Sequence, residues 1–232
     1  MRDLFGDRLG PYFLGPNDTP ENGIYTGDAR ELALTIPDES VDLIFTDPVY
    51  QNIDDYRWLA ETAARVLKPD SACLVWCGIG YLPETLRALI TGGLTYRWTC
   101  PSVILGRNGR GEYGLYNKWA CLLWMEKGRC KPTGWAFDAH VTTVNNRSGN
   151  NHKWQKHPDA IYNYLKILPG TIVDFFCGGG STLEVCKMLG RHYLAFEIDP
   201  ATAQDARNRV RQTQPPLPGL VVEQAAMELP GA

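Results

Sequence analysis

The stretch Val41-Asp42-Leu43-Ile44-Phe45-Thr46-Asp47-Pro48-Val49-Tyr50 decides how the rest of the chain is read. Val41, Leu43, Ile44 and Phe45 form a short, nearly continuous apolar run, the pattern of a strand buried on both faces of a parallel sheet. Asp47-Pro48 ends it, because proline has no N–H to give to a ladder and turns the preceding residue away from helical backbone. A carboxylate and the Tyr50 ring thus leave the carboxyl end of a buried strand, the edge where open α/β sheets bind ligands. An ordinary exit from strand to loop has the same signature. The functional reading therefore depends on what the chain brings to this edge from elsewhere.

Working outward, strands and helices alternate. Upstream, residues 23–28 read as a short strand ending in a turn, 29–36 as a brief helix and 37–40 as the return loop. Downstream, residues 55–67 carry Trp58, Leu59, Ala63, Val66 and Leu67 at helical spacing and stop before Lys68-Pro69. Residues 72–77 are a second apolar strand, and 82–90 a helix stopped by Gly92-Gly93. This βαβαβα order predicts a parallel sheet with helices on both faces. Residues 96–105 and 119–125 then flank a Gly/Arg loop and are expected to pair antiparallel, closing one sheet edge. Residues 127–157 read as irregular, with Trp135, Phe137, His140 and Trp154 among Asn and basic side chains. After them come a helix (158–168), a strand running into a glycine turn (171–182), a helix (183–189), a strand (193–199) and a polar helix to about Arg211. Residues 1–22 and the proline-containing tail from Thr213 read as an arm and a surface strap. The expected fold is α/β: a Rossmann-like, doubly wound, mostly parallel sheet with an antiparallel edge, in one domain spanning 1–232.

The 232 residues suit one domain with a substantial core. Seven cysteines, an odd number and mostly inside apolar runs, read as reduced thiols, so a cytoplasmic protein is expected. Cys73 and Cys77 have no further pair or His partner at metal-ligand spacing, so no metal is expected. No apolar run has the length of a signal core or a membrane span. The formal net charge is −3, but it is unevenly spread. Residues 97–156 hold ten Lys and Arg against three acids (+7), leaving 13 against 23 (−10) elsewhere. One basic surface on an acidic body suits contact with nucleic acid, and interleaved aromatics suit bases.

A second chemical station lies far downstream. Gly178, Gly179 and Gly180 sit between strand and helix, where a backbone can approach a ligand closely and amides face outward. Glu197 follows 19 residues after Gly178, at the end of the next strand, the place for an acid that accepts hydrogen bonds from a ribose. A nucleoside-type cofactor is indicated. The dinucleotide fingerprint fails, since Leu183 stands where its third glycine belongs, and no Gly-Lys-Ser/Thr follows for a phosphate loop.

Together the two stations resemble the amino-DNA methyltransferases that use S-adenosyl-L-methionine, in their permuted (β) class. That family places a catalytic D-P-P-Y before a D-P-F-x-G-S-G-T-T cofactor motif. Here Asp47-Pro48-Val49-Tyr50 precedes Asp174-Phe175-Phe176-Cys177-Gly178-Gly179-Gly180-Ser181-Thr182. Thr26-Gly27-Asp28-Ala29, Lys156-His157-Pro158 and Glu197-Ile198-Asp199-Pro200 match the flanking text. Val49, Phe175 and Gly179 depart from it.

The resemblance implies that Asp47, Pro48 and Tyr50 are catalytic. Asp47 and the Pro48 carbonyl would hold the target amine while Tyr50 stacks on a flipped base. It implies a cofactor site of Asp28, Ala29, Asp47, Lys156, His157, Phe176, Gly178, Gly180, Ser181, Thr182 and Glu197, with S-adenosyl-L-methionine bound and DNA as partner. N6 of adenine is favoured, because the cytosine-N4 enzymes of this family usually begin the catalytic motif with serine. Residues 106–118 and 127–157 become candidate target-recognition loops, with Arg107, Arg110, Lys118, Arg147 and Lys153 as nucleic-acid contacts. A homodimer stays open, as do an N4-cytosine enzyme and a non-catalytic nucleic-acid-binding subunit that kept the fold.

Overall fold

The computed structural model describes residues 23–105, 109–110, 114–143 and 156–214. β2 (Val41–Thr46) runs inside an eight-stranded sheet, parallel to both of its neighbours, β3 (Leu67–Cys77) and β9 (Ile172–Asp174). Its side chains divide between the two faces. Leu43 and Phe45 join the core under α4 (Pro158–Leu165) and α5 (Ser181–Met188), whereas Val41 and Ile44 join that under α2 (Ile53–Val66) and α3 (Leu82–Thr91). None of the four is more than 3% exposed. At about 2 kcal/mol for each large apolar side chain taken out of water, this short run helps to hold both layers to the sheet.

The sheet order is β1-β10-β9-β2-β3-β7-β4-β8. Here β1 is Ile24–Thr26, β4 Thr95–Leu105, β7 Trp119–Lys127, β8 His140–Thr143 and β10 Tyr193–Glu197. β5 (Gly109–Arg110) and β6 (Tyr116–Asn117) form a separate two-stranded ladder. From β2 the chain steps through α2 to β3; from β9 it steps through α5 the other way, to β10. The two crossovers diverge between β9 and β2. Such a switch point opens a crevice at the carboxyl ends of the strands.

α2 forms because Tyr56, Leu59, Ala60, Ala63 and Val66 recur on one face and are all buried there. Its end passes directly into β3, which begins at Leu67 rather than at residue 72 as the sequence pattern suggests. The polar extension is held at Asp70, in the left-handed region at φ 61°, whose carboxylate accepts the Arg129 N–H at 2.9 Å. Helix α1 (Ala29–Leu32) continues as a 3₁₀ turn through Thr35, and α6 (Pro200–Gln212) closes the described chain. Arg207 of α6 is buried and ties that helix to β1 by donating to the Ile24 carbonyl (2.7 Å) and the Thr26 hydroxyl (2.9 Å).

Two expectations need correction. β7 is antiparallel to both β3 and β4, as the paired pattern predicts, but this pair does not close the edge. The edge strand is β8, parallel to β4, within a segment that reads as irregular. His140-Val141-Thr142-Thr143 holds one strongly apolar residue and no run of alternation, so β8 carries no periodic signal. Likewise, α4 ends at Leu165 rather than at Leu168. All seven cysteines are free. Among the described residues, no helix is long and apolar enough to cross a membrane.

Candidate active site

The crevice between β9 and β2 brings together residues more than a hundred positions apart. Its lining includes Asp47 and Trp76 from one side, and Asp174, Phe176, Gly178 and Thr182 from the other. A buried hydroxyl joins the two halves. Thr46 Oγ1 donates to Asp174 Oδ1 at 2.8 Å and accepts the Phe176 N–H at 3.2 Å, and the same N–H reaches Asp174 Oδ1 at 3.1 Å. Asp174 is 2% exposed, and this burial, partly offset by its hydrogen bonds, raises its pKa to about 7.

Asp47 leaves the end of β2 with its two oxygens in different states. Oδ2 is in an ion pair with Lys156 Nζ, whereas Oδ1 is buried and has no hydrogen-bond partner. A buried carboxylate oxygen without a donor is costly in a folded protein, and it marks the direction from which a ligand N–H can be bound. Pro48 is buried behind it. Val49, where the family motif has proline, is 64% exposed, and its carbonyl accepts the Asn52 N–H at 3.0 Å ahead of α2.

Tyr50 packs against Gly78, where a Cβ would lie 3.0 Å from the tyrosine Cβ. Burial, and secondarily the charge of Asp47, push its phenol well above the usual range, so the ring stays neutral. Lys156 Nζ lies 5.1 Å from the Tyr50 ring centroid and 5.3 Å from that of Trp76.

The glycine turn is shaped by two left-handed residues with different surroundings. Gly180 (φ 80°) caps α5 against α6, where a Cβ would meet Ala206 at 3.0 Å. Gly178 (φ 50°) faces open space, with nothing within 4 Å of a built Cβ. Its N–H donates to Glu197 Oε2 at 3.0 Å, and Asp199 N–H donates to Oε1 at 2.9 Å. Each Glu197 oxygen keeps a second lone pair for hydroxyls. This cradle, a free acceptor on Asp47 and an acid at the end of β10 together fit a nucleoside carrying an amino-acid tail.

Ser181 lines the cleft and accepts from Arg209 at 3.0 Å. Gly179 lines it, while Gly180 shapes the turn from behind. Asp28 is exposed at the end of β1, where it caps α1 by accepting the Arg30 N–H at 2.8 Å, with Ala29 buried beneath. β1 and β10 are neighbours with Thr26 opposite Glu197, so Asp28 and Glu197 share the same edge. His157 caps α4, its Nδ1 accepting the Asp159 N–H at 3.3 Å. Among the described residues, His140, His157 and Asp159 bring possible metal-ligand atoms within 4.8 Å of one another.

Lys118 is exposed just before β7. Arg110 is described only through the backbone of β5, and Arg107, Arg147 and Lys153 lie outside the described residues. Leu105, Lys118 and Thr143 all stand on the same sheet edge as Asp47, so the chain leaves β4 and β8 and enters β7 on the cleft side. Residues 133–138 instead run along α4, fixed by hydrogen bonds from Asn163 to the Phe137 carbonyl (2.7 Å) and from Thr133 to the Ile167 carbonyl (2.8 Å).

Trp76, Ile161 and Thr202 line the cleft with no site role legible in the sequence, and Asp174, which opens the cofactor motif there, lines it too. Ile198, part of the matching Glu197-Ile198-Asp199-Pro200 text but without a role of its own there, is 68% exposed between Glu197 and Asp199. An isoleucine flanked by acids just past a strand is the one such signal visible beforehand. Phe175 has a packing reason to replace proline: it stacks on Phe196 at 5.6 Å and meets Trp58 edge-on at 5.3 Å.

Comparison with known proteins bears on the fold and on the family that the chain resembles. A family model described as DNA methylase matches residues 131–208, and one described as a methyltransferase domain matches residues 15–75. Type II methyltransferase M.HinfI of Haemophilus influenzae is 25% identical, covering 84% of this chain and 69% of the relative. Type II methyltransferase M.BamHI of Bacillus amyloliquefaciens is 24% identical over 92% of this chain and 62% of the relative. The chain thus spans about two thirds of the length of these relatives. The M1.HpyAVI–SAM complex superposes with a TM-score of 0.69 at 20% identity, covering 81% of this chain and 98% of that one. The PvuII DNA methyltransferase (cytosine-N4-specific) superposes with a TM-score of 0.73 at 16% identity, covering 83% and 87%. At these identities the superpositions establish the fold.

Proposed function

We propose that this chain, a member of the amino-methyltransferase family, transfers a methyl group from S-adenosyl-L-methionine to the exocyclic amine of a base flipped out of DNA, N6 of adenine. The observation that carries this reading is the unpartnered Asp47 Oδ1, buried in the same crevice as the Gly178 turn. Bound there, the cofactor supplies an electrophilic methyl group on a sulfonium.

The rest of the chemistry belongs to the protein. An exocyclic amine is a weak nucleophile because its lone pair is delocalised into the ring. Asp47 Oδ1 accepts one of its N–H bonds and the Pro48 carbonyl the other, drawing the nitrogen towards tetrahedral geometry and exposing the lone pair. Asp47 also stabilises the positive charge that develops on nitrogen, an effect strengthened by its poorly solvated position. Holding the amine in line replaces a bimolecular encounter with a positioned one. Tyr50, kept neutral, offers a flat face for the extruded base.

Glu197 accepts from the ribose hydroxyls, Asp28 meets the adenine edge, and Ile198 covers the adenine face. Phe176, Gly178, Ser181 and Thr182 surround the methionine part. The connections leaving Leu105, Lys118 and Thr143 face DNA, with 106–118 and the later part of 127–157 as the recognition surface. The free thiols suit action in the cytoplasm.

The test is incubation with labelled cofactor and duplex DNA, followed by digestion to nucleosides and mass identification. The expected product is N6-methyladenine, lost in Asp47→Ala. A methylated cytosine amine would move the assignment to N4. Absence of transfer to any nucleic acid would leave a binding module on this fold.

A further inference from the structure

Lys156 is the only cation among the described residues lining the cleft; its charged neighbours there, Asp47 and Asp174, are both acids. Its side chain is 15% exposed, and its ammonium is committed to Asp47 Oδ2. The same ammonium lies 5.1 Å from the Tyr50 ring and 5.3 Å from the Trp76 ring. It therefore occupies the neighbourhood that a base stacked on Tyr50 needs, and it neutralises the group that must receive the base. A poorly solvated ammonium leaves one anion readily only for another. If the cofactor reading holds, that second anion enters the same cleft: the amino-acid carboxylate of the cofactor, for which the described lining residues offer no other positive side chain.

We propose that Lys156 is a positioning residue exchanged between Asp47 and the cofactor carboxylate, so that cofactor binding unmasks Asp47 and clears the slot beside Tyr50. The exchange is a shift of one flexible side chain between two anions. No bond is made or broken. Linkage makes it reciprocal: whatever Asp47 holds back from the cofactor, the cofactor releases for the base. Asp47 then opposes cofactor binding, although it lines the same cleft. A residue that simply contacts the cofactor has the opposite sign.

Calorimetric titration of the full chain tests this without DNA, using two nucleosides. S-adenosylhomocysteine carries the carboxylate with an ammonium beside it, and 5′-deoxy-5′-methylthioadenosine lacks both; a contact of Asp47 with the ammonium would make Asp47→Asn weaken binding, the opposite sign to the exchange. Lys156→Met is expected to weaken S-adenosylhomocysteine binding about tenfold, and Asp47→Asn to tighten it by a factor of several, within the usual range of coupling between sites. Methylthioadenosine is expected to bind all three proteins alike. Weaker or unchanged S-adenosylhomocysteine binding in Asp47→Asn overturns the exchange, as does a Lys156→Met variant with wild-type affinity. Should Lys156→Met fail to fold, the sign of the Asp47→Asn effect decides alone. If the wild type binds neither nucleoside, the cofactor reading itself fails, a result distinct from both.

Discussion

Substituting Gly78 by alanine tests how closely Tyr50 must pack against the end of β3. The backbone at Gly78 (φ −75°, ψ 134°) is ordinary for any residue, so an added methyl group costs nothing there. It would lie 3.0 Å from Tyr50 Cβ, 3.1 Å from Cδ2 and 3.2 Å from Cγ. Carbon atoms prefer about 3.5–4.0 Å, so the ring must retreat by roughly half an ångström. Lys156 stands over that ring, which limits where it can go. Overpacking of this kind costs about 1–3 kcal/mol. A misplacement of about 1 Å at a reacting group costs on the order of a hundredfold in rate, so a shift half that size is worth about tenfold. The assay is kcat for methyl transfer beside a thermal melt, with Gly80→Ala as control, since a Cβ there meets nothing within 4 Å. Gly78→Ala should lose about tenfold in kcat and a few degrees in Tm, while Gly80→Ala keeps both. Wild-type kcat in Gly78→Ala would refute the claim that Tyr50 must sit against Gly78 to work.

Thr46→Val keeps shape but removes the hydroxyl bridging β2 and the β9 turn. A urea melt should show a loss of about 1–3 kcal/mol, and Thr46→Ser should restore most of it. Asp174, with its pKa raised from 3.8 to about 7, binds more protons folded than unfolded between these values. Its contribution to stability is therefore full below about pH 4 and lost as pH rises through 7, by roughly 4 kcal/mol in all. Melts across pH 4–8 should show this slope in the wild type and a flatter profile in Asp174→Asn. Gly180→Ala combines φ 80° with a clash at Ala206, so its main effect should be a lower Tm. Gly178→Ala bears only the left-handed strain of about 1–2 kcal/mol, but its methyl group enters the open cradle. Calorimetry should show it losing S-adenosylhomocysteine affinity more than Gly180→Ala does.

Local patterns made much of the sheet legible. The short apolar runs at 41–46, 72–77 and 119–125 have the length of buried strands, and the helical spacing of Trp58 to Val66 gives one face to cover a sheet. Their alternation points to a parallel sheet covered by helices, with crossovers of one hand. Strand and helix identity, the stop at Asp47-Pro48 and the glycine turn after β9 were all written in neighbouring residues. β8 was not. Its four residues join the edge through pairing with β4, which no short window records.

The candidate site divides the same way. The sequence alone determined which residue types stand at each strand end: Asp47, Gly178 and Glu197, each marked by a local break in hydrophobic pattern. Tertiary structure alone decided that β2 and β9 are neighbours, that Thr46 bonds Asp174 at a sequence separation of 128, and that Lys156 reaches Asp47 from the foot of α4. Period and turn chemistry are properties of a few adjacent residues. A charge meeting its partner depends on where distant crossovers set the chain down.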